Sequence, residues 1–216
     1  DDINCEYAAE NYDCNDNCIV EVDCAGECDG IAEVDIFGIC EGNGTIQGAI
    51  DAADSSGTVN VPPGTYTECI SLNKSITLIA DGNVIIDGSA CTSVISVNSA
   101  GVTVDGFDVV GSDQTTTGIN IGPGSTEVHI QNNTIHGMNL ANQSNISPGS
   151  YGILVWGNEI DGFPHDIILE GNEIYDPDSG ALIGLSKGEI KGTIEVIDFF
   201  GPDGAIAILH SGSSVL

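Results

Sequence analysis

The chain has 216 residues, of which 33 are Asp or Glu and only 3 are Lys or Arg, giving a formal net charge of −30. A nucleic-acid-binding protein places basic residues against the phosphates, so this composition excludes that class and argues against docking on an anionic membrane. No apolar run approaches the ~18 residues that a membrane-inserted helix needs. Because 41% of the residues are hydrophobic, the acids must lie outside a substantial core.

The first 44 residues form an acidic module that holds six of the eight cysteines. A segment this small buries little apolar surface, so we expect disulfides to stabilise it. Cysteines at this density also favour an extracellular, secreted protein. The sequence does not choose among the possible pairings, and the C-x3-C spacings leave zinc as an alternative. The six residues are Cys5, Cys14, Cys18, Cys24, Cys28 and Cys40.

A short helix is predicted at residues 45–54, directly after this module. Thr45 is suited to cap its first turn. The following apolar residues recur at helical spacing and would share one buried face: Ile46, Ala49, Ile50 and Ala53. A strand is then expected from Thr58 to the corner at Pro62.

The rest of the chain repeats short strand-like phrases at steps of 23 to 34 residues. One series is marked by Ile70, Ile95, Ile119, Ile153, Ile183 and Ile206. A second series has two alternating strands around a corner residue, which is Asn83, Phe107, Asn133 or Asn172. Repeats of this kind predict a parallel β-solenoid with aliphatic residues inside. Corner asparagines tolerate left-handed backbone and can hydrogen-bond to one another along the stack.

Residues 45–70, TIQGAIDAADSSGTVNVPPGTYTECI, resemble the opening of right-handed parallel β-helix proteins of the pectate-lyase-like superfamily. The resemblance implies an all-β fold over residues 45–216: a right-handed single-stranded parallel β-helix of about six or seven coils. Residues 45–54 would be its N-terminal capping helix and 138–150 an inserted loop. Residues 1–44 resemble acidic DCxGxCxG modules of secreted bacterial and phage proteins.

Catalytic members of this superfamily carry basic residues that are missing here. Its lyases use an Arg or Lys base, but this chain has no Arg, and Lys74, Lys187 and Lys191 do not lie in a recurring acidic cluster. Its hydrolases combine His-Gly with Arg-x-Lys; His136-Gly137 is present without that partner. We therefore interpret His136 as a surface corner residue and expect no enzymatic activity.

The remaining ionisable residues suggest no defined cofactor site. His129, His165 and His210 fall on separate coils, which disfavours a transition-metal site. The carboxylate pairs Asp105/Asp108 and Glu170/Glu173 have the composition of a general acid and base, although a solvated acidic face explains them more simply. Calcium is expected only as a weakly bound counter-ion, with candidate ligands Asp13, Asp16, Asp176 and Asp178.

Five N-x-S/T sequons are candidate glycosylation sites: Asn43, Asn73, Asn132, Asn142 and Asn145. Two of them lie in the 138–150 insertion, and long loops on rigid scaffolds commonly carry attachments. Cys69 and Cys91 lie 22 residues apart, close to one repeat, so we expect a disulfide between them.

The final phrase AIAILHSGSSVL (205–216) is apolar and has no obvious cap. An uncapped solenoid end invites another chain, and a head-to-tail contact builds a homopolymeric filament; a fragment of a longer solenoid is the alternative. We expect a secreted, non-catalytic structural protein, a subunit of an extracellular filament or surface assembly, with N-glycans. The rival interpretations are a carbohydrate-active β-helix enzyme and a carbohydrate-binding adhesin or phage spike module.

Overall fold

The computed structural model describes residues 10–13, 15–138, 150–158 and 160–175 in full. Beyond them it describes the backbone of four strands, at 181–186, 189–190, 205–208 and 214–215.

The helix lies where the sequence predicted it. Helix α1 spans Ile46–Ala52, and the Thr45 hydroxyl accepts a hydrogen bond from the Gly48 N–H at 2.9 Å. Ile46, Ala49 and Ile50 are buried against the strands that follow. The apolar spacing of this segment thus fixes which face of the helix packs inward.

Short strands make up most of the chain after α1. In chain order they are β1 (Gly57–Val61), β2 (Gly64–Tyr66), β3 (Ile70–Leu72), β4 (Ile76–Ala80), β5 (Val84–Asp87), β6 (Ser93–Val97), β7 (Val102–Asp105), β8 (Asp108–Val110), β9 (Thr117–Ile121), β10 (Thr126–Gln131), β11 (Thr134–His136), β12 (Tyr151–Trp156), β13 (His165–Glu170), β14 (Glu173–Tyr175), β15 (Ala181–Ser186), β16 (Glu189–Ile190), β17 (Ala205–Ile208) and β18 (Ser214–Val215).

These strands form three parallel sheets that the chain visits in turn. The first sheet has the strand order β1-β4-β7-β10-β13-β16-β18. The second has the order β2-β5-β8-β11-β14, and the third has the order β3-β6-β9-β12-β15-β17. Each coil therefore hydrogen-bonds to the coil before it and the coil after it. This arrangement agrees with the predicted parallel β-helix.

The strand register confirms the repeat found in the sequence. Each marker isoleucine of the third sheet pairs with the next: Ile70 with Ile95, Ile95 with Ile119, Ile119 with Ile153, Ile153 with Ile183, and Ile183 with Ile206. Because a one-residue slip would turn every side chain to the other face, this agreement determines which residues are buried. In β4, for example, Ile76 and Leu78 are fully buried while Thr77 and Ile79 are partly exposed.

Two corner asparagines hydrogen-bond to each other along the stack, as predicted. Asn133 and Asn172 are buried, and the Asn133 side-chain amide donates to Asn172 Oδ1 at 3.0 Å. The left-handed backbone, however, belongs to the residue before each ladder position: Gly106, Asn132 and Gly171 have φ of 85°, 55° and 63°.

Asn83 lies at a corner, between β4 and β5, but it is exposed and is not the equivalent of Phe107. Ile79 pairs with Asp105 and Ile85 with Asp108, so five residues separate the two isoleucines where two separate the two aspartates. The longer corner moves Asn83 outward, and the buried Val84 takes the inward position that Phe107 occupies in the next coil.

The N-terminal module is rich in disulfides, as predicted, with bonds between Cys18 and Cys28 and between Cys24 and Cys40. These cysteines are therefore not zinc ligands; Cys5 and Cys14 lie outside the described residues. A further disulfide links Cys69 to Cys91, the pair that the repeat spacing favoured.

Candidate glycan-bearing surface

The outer face of the coils is polar, and three of the five sequon asparagines are exposed on it. Asn43 lies between the module and α1, Asn73 follows β3, and Asn132 follows β10. All three lie at turns between regular elements, where an enzyme can reach the side chain. Asn142 and Asn145 lie outside the described residues.

The amide oxygen of Asn43 is engaged by the threonine of its own sequon. Its Oδ1 accepts hydrogen bonds from the Thr45 N–H at 3.1 Å and the Thr45 hydroxyl at 2.7 Å. Within the described residues, no hydrogen-bond partner is found for Asn43 Nδ2. The sequon threonine thus engages the amide oxygen of Asn43, whose side chain as a whole is exposed.

Asn73 and Asn132 have their amide groups engaged with neighbouring coils. Asn132 Nδ2 donates to Asp105 Oδ1 at 2.8 Å. Asn73 Oδ1 accepts from Asn98 Nδ2 at 3.1 Å, and Asn73 Nδ2 lies 3.4 Å from Ser71 Oγ. A glycosylated amide retains one N–H, so these contacts restrict attachment without forbidding it.

The insertion between β11 and β12 leaves and re-enters the stack at one point. Met138 and Ser150 flank it, both are buried, and the Ser150 hydroxyl donates to the Met138 carbonyl at 3.0 Å. The two described residues that flank the insertion therefore lie within hydrogen-bond distance of each other on the solenoid.

His136 ends β11 on the outer face of the second sheet and is in contact with two neighbouring coils. Its Nε2 lies 2.8 Å from Asp108 Oδ1. Its ring stacks on Tyr175, with centroids 4.8 Å apart and planes 8° from parallel. Burial, and then the charges of Asp108 and Glu173, raise the pKa of the Tyr175 phenol. Sequence analysis missed this cluster because its members are 28 and 39 residues apart.

The paired carboxylates are separated between two sheets. Asp105 lies on the first sheet, where its two oxygens accept from Gln131 Nε2 at 2.9 Å and Asn132 Nδ2 at 2.8 Å. Asp108 lies on the second sheet beside His136. Glu170 and Glu173 are divided in the same way between β13 and β14. The members of each pair are therefore held on different sheets.

The other predicted ionic residues are dispersed. His129 lies on β10, and His165 begins β13 with its Nδ1 2.8 Å from Asp166 Oδ2. Within the described residues, no three His, Cys, Asp or Glu side chains are grouped as a metal site. Asp176, Asp178, Lys187, Lys191 and His210 lie outside the residues whose side chains are described.

The carboxylate of Asp13 accepts hydrogen bonds within its own loop. Its Oδ1 accepts from the N–H groups of Asn15 at 2.7 Å and Asn17 at 2.9 Å. Hydrogen bonds from Asn17, and then Asn15, lower the pKa of Asp13. Asp16 follows in the same loop with a φ of 61°.

Comparison with known proteins finds one local similarity. The chain is 36% identical over 85 residues to a cell surface glycoprotein of Methanothermus fervidus. The alignment covers 38% of this chain and 14% of that protein, so the chain corresponds to a small part of the relative's length. No family model matches the chain, and no solved structure matches it. In the described part of the chain, no helix is long and apolar enough to cross a membrane.

Proposed function

We propose that this chain is a structural segment of an extracellular cell-surface assembly and that it carries N-linked glycans. The observation that carries the proposal is its similarity over 85 residues to a cell surface glycoprotein. The disulfides and the exposed sequon asparagines support the same conclusion, since both suit an oxidising, extracellular setting.

The stack supplies the mechanical property that such a role needs. Each described coil pairs with its neighbours through three parallel sheets, and the interior is filled by Ile, Val and Leu. Bending the stack would break backbone hydrogen bonds and separate packed side chains. We therefore assign it the role of a stiff spacer that displays its outer face.

We further propose that the solenoid is right-handed, has six or seven coils and is related to the pectate-lyase-like proteins. The PPGTY phrase supports this relation: Tyr66 is buried, and its hydroxyl donates to the Pro62 carbonyl at 2.9 Å. The bond closes the first corner at the entrance to the stack.

End-to-end association is the assembly mode that we propose. At the N-terminal end, Gln47 of α1 hydrogen-bonds both the N–H and the C=O of Ser71 on β3, at 2.8 and 3.2 Å. That strand edge is therefore satisfied within the chain. A partner at this end would contact the helix and the module, and would not extend the third sheet.

Electron microscopy of the protein as secreted, without denaturant, tests the assembly. We expect filaments or a lattice whose axial repeat corresponds to about 4.8 Å per coil. Monodisperse single particles at all concentrations would reject end-to-end association.

Intact-mass measurement of the same material tests glycosylation. We expect a mass above that of the bare polypeptide, with the largest single decrease on Asn43→Gln. Asn73→Gln and Asn132→Gln should give smaller decreases because their amides are engaged. A mass equal to the polypeptide alone would reject the glycan proposal.

The cluster of Asp108, His136 and Tyr175 favours one alternative, a carbohydrate-active protein. An imidazole held by a carboxylate is a general-base arrangement. Release of sugar from a panel of polysaccharides, abolished by His136→Ala, would establish this alternative over the structural role.

A further inference from the structure

The N-terminal module exposes aliphatic side chains that a stable small domain would ordinarily bury. They are Ile19, Val20, Val22, Ile31, Val34 and Ile36, and Ile31 is 95% exposed. Val22, Ile31 and Val34 line one shared groove of about 730 Å³. Isolated apolar residues on a surface are common, but a group that shares one groove marks a contact site.

The fold of the module does not depend on these side chains. The Asp23 carboxylate accepts hydrogen bonds from the N–H groups of Ala25, Glu27 and Ala32 at 2.9 to 3.0 Å. Asp35 repeats the arrangement one loop later, at 2.9 to 3.0 Å. These bonds and the disulfides hold the backbone without the aliphatic side chains of the groove.

The module uses a different set of residues to attach to the solenoid. Phe37 and Ile39 are partly buried and pack against the main hydrophobic core. Val22, Ile31 and Val34 are exposed and take no part in that packing. Among the residues that the structure describes, none covers these three side chains once the module has attached.

The charge around the groove limits what fills it. Glu21, Asp23, Asp29 and Glu33 line it together with the aliphatic residues. Residues 1–44 contain 13 Asp and Glu residues and no Lys, Arg or His. A second copy of this chain, with a net charge of −30 and 3 Lys, offers few cationic groups to pair with these carboxylates. A hydrated cation would neutralise the acids and a glycan would cover them, but either would leave the aliphatic side chains in water.

We propose that this groove binds a segment of another polypeptide that carries both aliphatic side chains and lysine or arginine. The aliphatic side chains would cover Val22, Ile31 and Val34, and the cationic groups would pair with the carboxylates at the rim. Apolar contact supplies most of the affinity, and charge complementarity determines which partner binds. The inference concerns the module alone and does not depend on the proposed assembly of the solenoid.

Fluorescence anisotropy with the full disulfide-bonded chain and labelled synthetic peptides of about twelve residues tests this inference. One peptide alternates lysine with valine, and a second alternates lysine with serine at the same charge. We expect the lysine–valine peptide to bind at least about tenfold more tightly, and its binding to weaken with NaCl. Equal binding of the two peptides would overturn the proposal, because it would reflect general attraction to the acidic chain.

Matched variants locate the binding. Ile31→Ser should weaken it at least about tenfold, whereas Ile160→Ser, at a side chain that is 92% exposed on the solenoid, should change it less than about twofold. Glu21→Gln with Glu33→Gln should likewise weaken binding more than Asp54→Asn with Asp81→Asn, a control that removes the same charge from other exposed positions. Equal losses in both sets would overturn the assignment to the groove.

Sedimentation of the unliganded chain at low and high salt tests whether the groove binds a second copy of the chain instead. We expect no salt-induced association that Ile31→Ser abolishes. A dimer that Ile31→Ser abolishes would show that the groove binds a second copy and would overturn the proposal of a basic partner. All substituted residues are exposed, so far-UV circular dichroism should show the fold unchanged.

Discussion

The buried Asn133 side chain hydrogen-bonds two backbone groups and one side chain, all from neighbouring coils. Its Oδ1 accepts from the Phe107 N–H at 3.0 Å, and its Nδ2 donates to the Val104 carbonyl at 3.1 Å and to Asn172 Oδ1 at 3.0 Å. These backbone groups lie at corners, where the strands leave the sheets and lose their usual partners. One buried amide therefore joins three successive coils.

Replacing Asn133 with alanine should destabilise the protein by about 2–4 kcal/mol, because the Phe107 N–H and the Val104 carbonyl would be left buried without partners. Urea unfolding followed by circular dichroism measures the loss. Asn83→Ala is the matched control, since Asn83 occupies a corner but is exposed. Similar losses for the two variants would contradict the special role of the ladder.

The contrast between these two asparagines shows how far a repeat can be interpreted residue by residue. Asn133 and Asn83 both end a strand-like phrase, and the sequence alone places them at equivalent corners. Between Ile79 and Ile85 there are three residues more than between their partners Asp105 and Asp108, and this changes the direction of Asn83. Corner length alters side-chain direction without altering the aliphatic pattern, so periodicity predicted the strands but not this side chain.

At the scale of the element, α1 closes the stack through side chains from the first and second coils. The Glu68 carboxylate accepts from the N–H groups of Ile46 at 2.8 Å and Gln47 at 3.0 Å. At the other end, the Lys74 ammonium donates to the carbonyls of Asp51 and Ala53. An anion at the N-terminus and a cation at the C-terminus both interact favourably with the helix dipole and so stabilise the helix.

The sequence predicted this helix and its Thr45 cap because both signals are local. It did not predict the contacts of Gln47, Glu68 or Lys74, whose partners lie 21 to 24 residues away. Such contacts become visible only when the coil length is known to the residue. For the same reason the candidate glycan sites could be found as sequence motifs, but the hydrogen bonds that engage their amides could not.

Replacing Gln47 with alanine should release the edge of β3 and destabilise the protein by about 1–2 kcal/mol. The Ser71 amide, which donates to Gln47 Oε1 at 2.8 Å, should then exchange its hydrogen faster than in the parent chain. Hydrogen exchange followed by NMR measures this amide directly. Asn60→Ala, at an exposed position on β1, is the control; unchanged Ser71 exchange in the Gln47 variant would show that the helix does not cap this edge.

The loops of the N-terminal module should open in acid. Hydrogen bonds from the N–H groups of Ile39, Gly44 and Phe37 lower the pKa of Asp35, and those from Glu27, Ala32 and Ala25 lower that of Asp23. A pKa that is lower in the folded state stabilises the fold above the ordinary aspartate value of about 3.9. This stabilisation is lost as the pH falls through the lowered value.

Exchange of the Ile39 and Gly44 amides, corrected for the intrinsic rate, should therefore increase as the pH is lowered from about 5 to about 2. Asp35→Asn should remove most of the pH dependence of the Gly44 amide, because its second acceptor oxygen is replaced by a donor group. Protection that stays constant across this range in the parent chain would show that the carboxylates do not hold the loops.

At the scale of the whole molecule, the described negative charges lie outside the hydrophobic core. The described core contains aliphatic residues and a few hydrogen-bonded polar groups, and no described Asp or Glu is buried in it. The chain has 33 Asp and Glu residues and 3 Lys and Arg residues to balance them. Folding brings these negative charges together, and their mutual repulsion opposes the compact state.

Salt should therefore stabilise the protein. The urea midpoint is expected to rise as NaCl increases from about 0.02 to about 0.3 M, because screening shortens the range of repulsion to below about 10 Å. Calcium chloride at equal ionic strength distinguishes screening from binding. A larger rise with calcium, reversed by a chelator, would establish bound counter-ions, since ligands that bind only the folded state add to its stability. Equal rises would assign the whole effect to screening, and a midpoint that falls or stays constant with NaCl would contradict self-repulsion as a limit on stability.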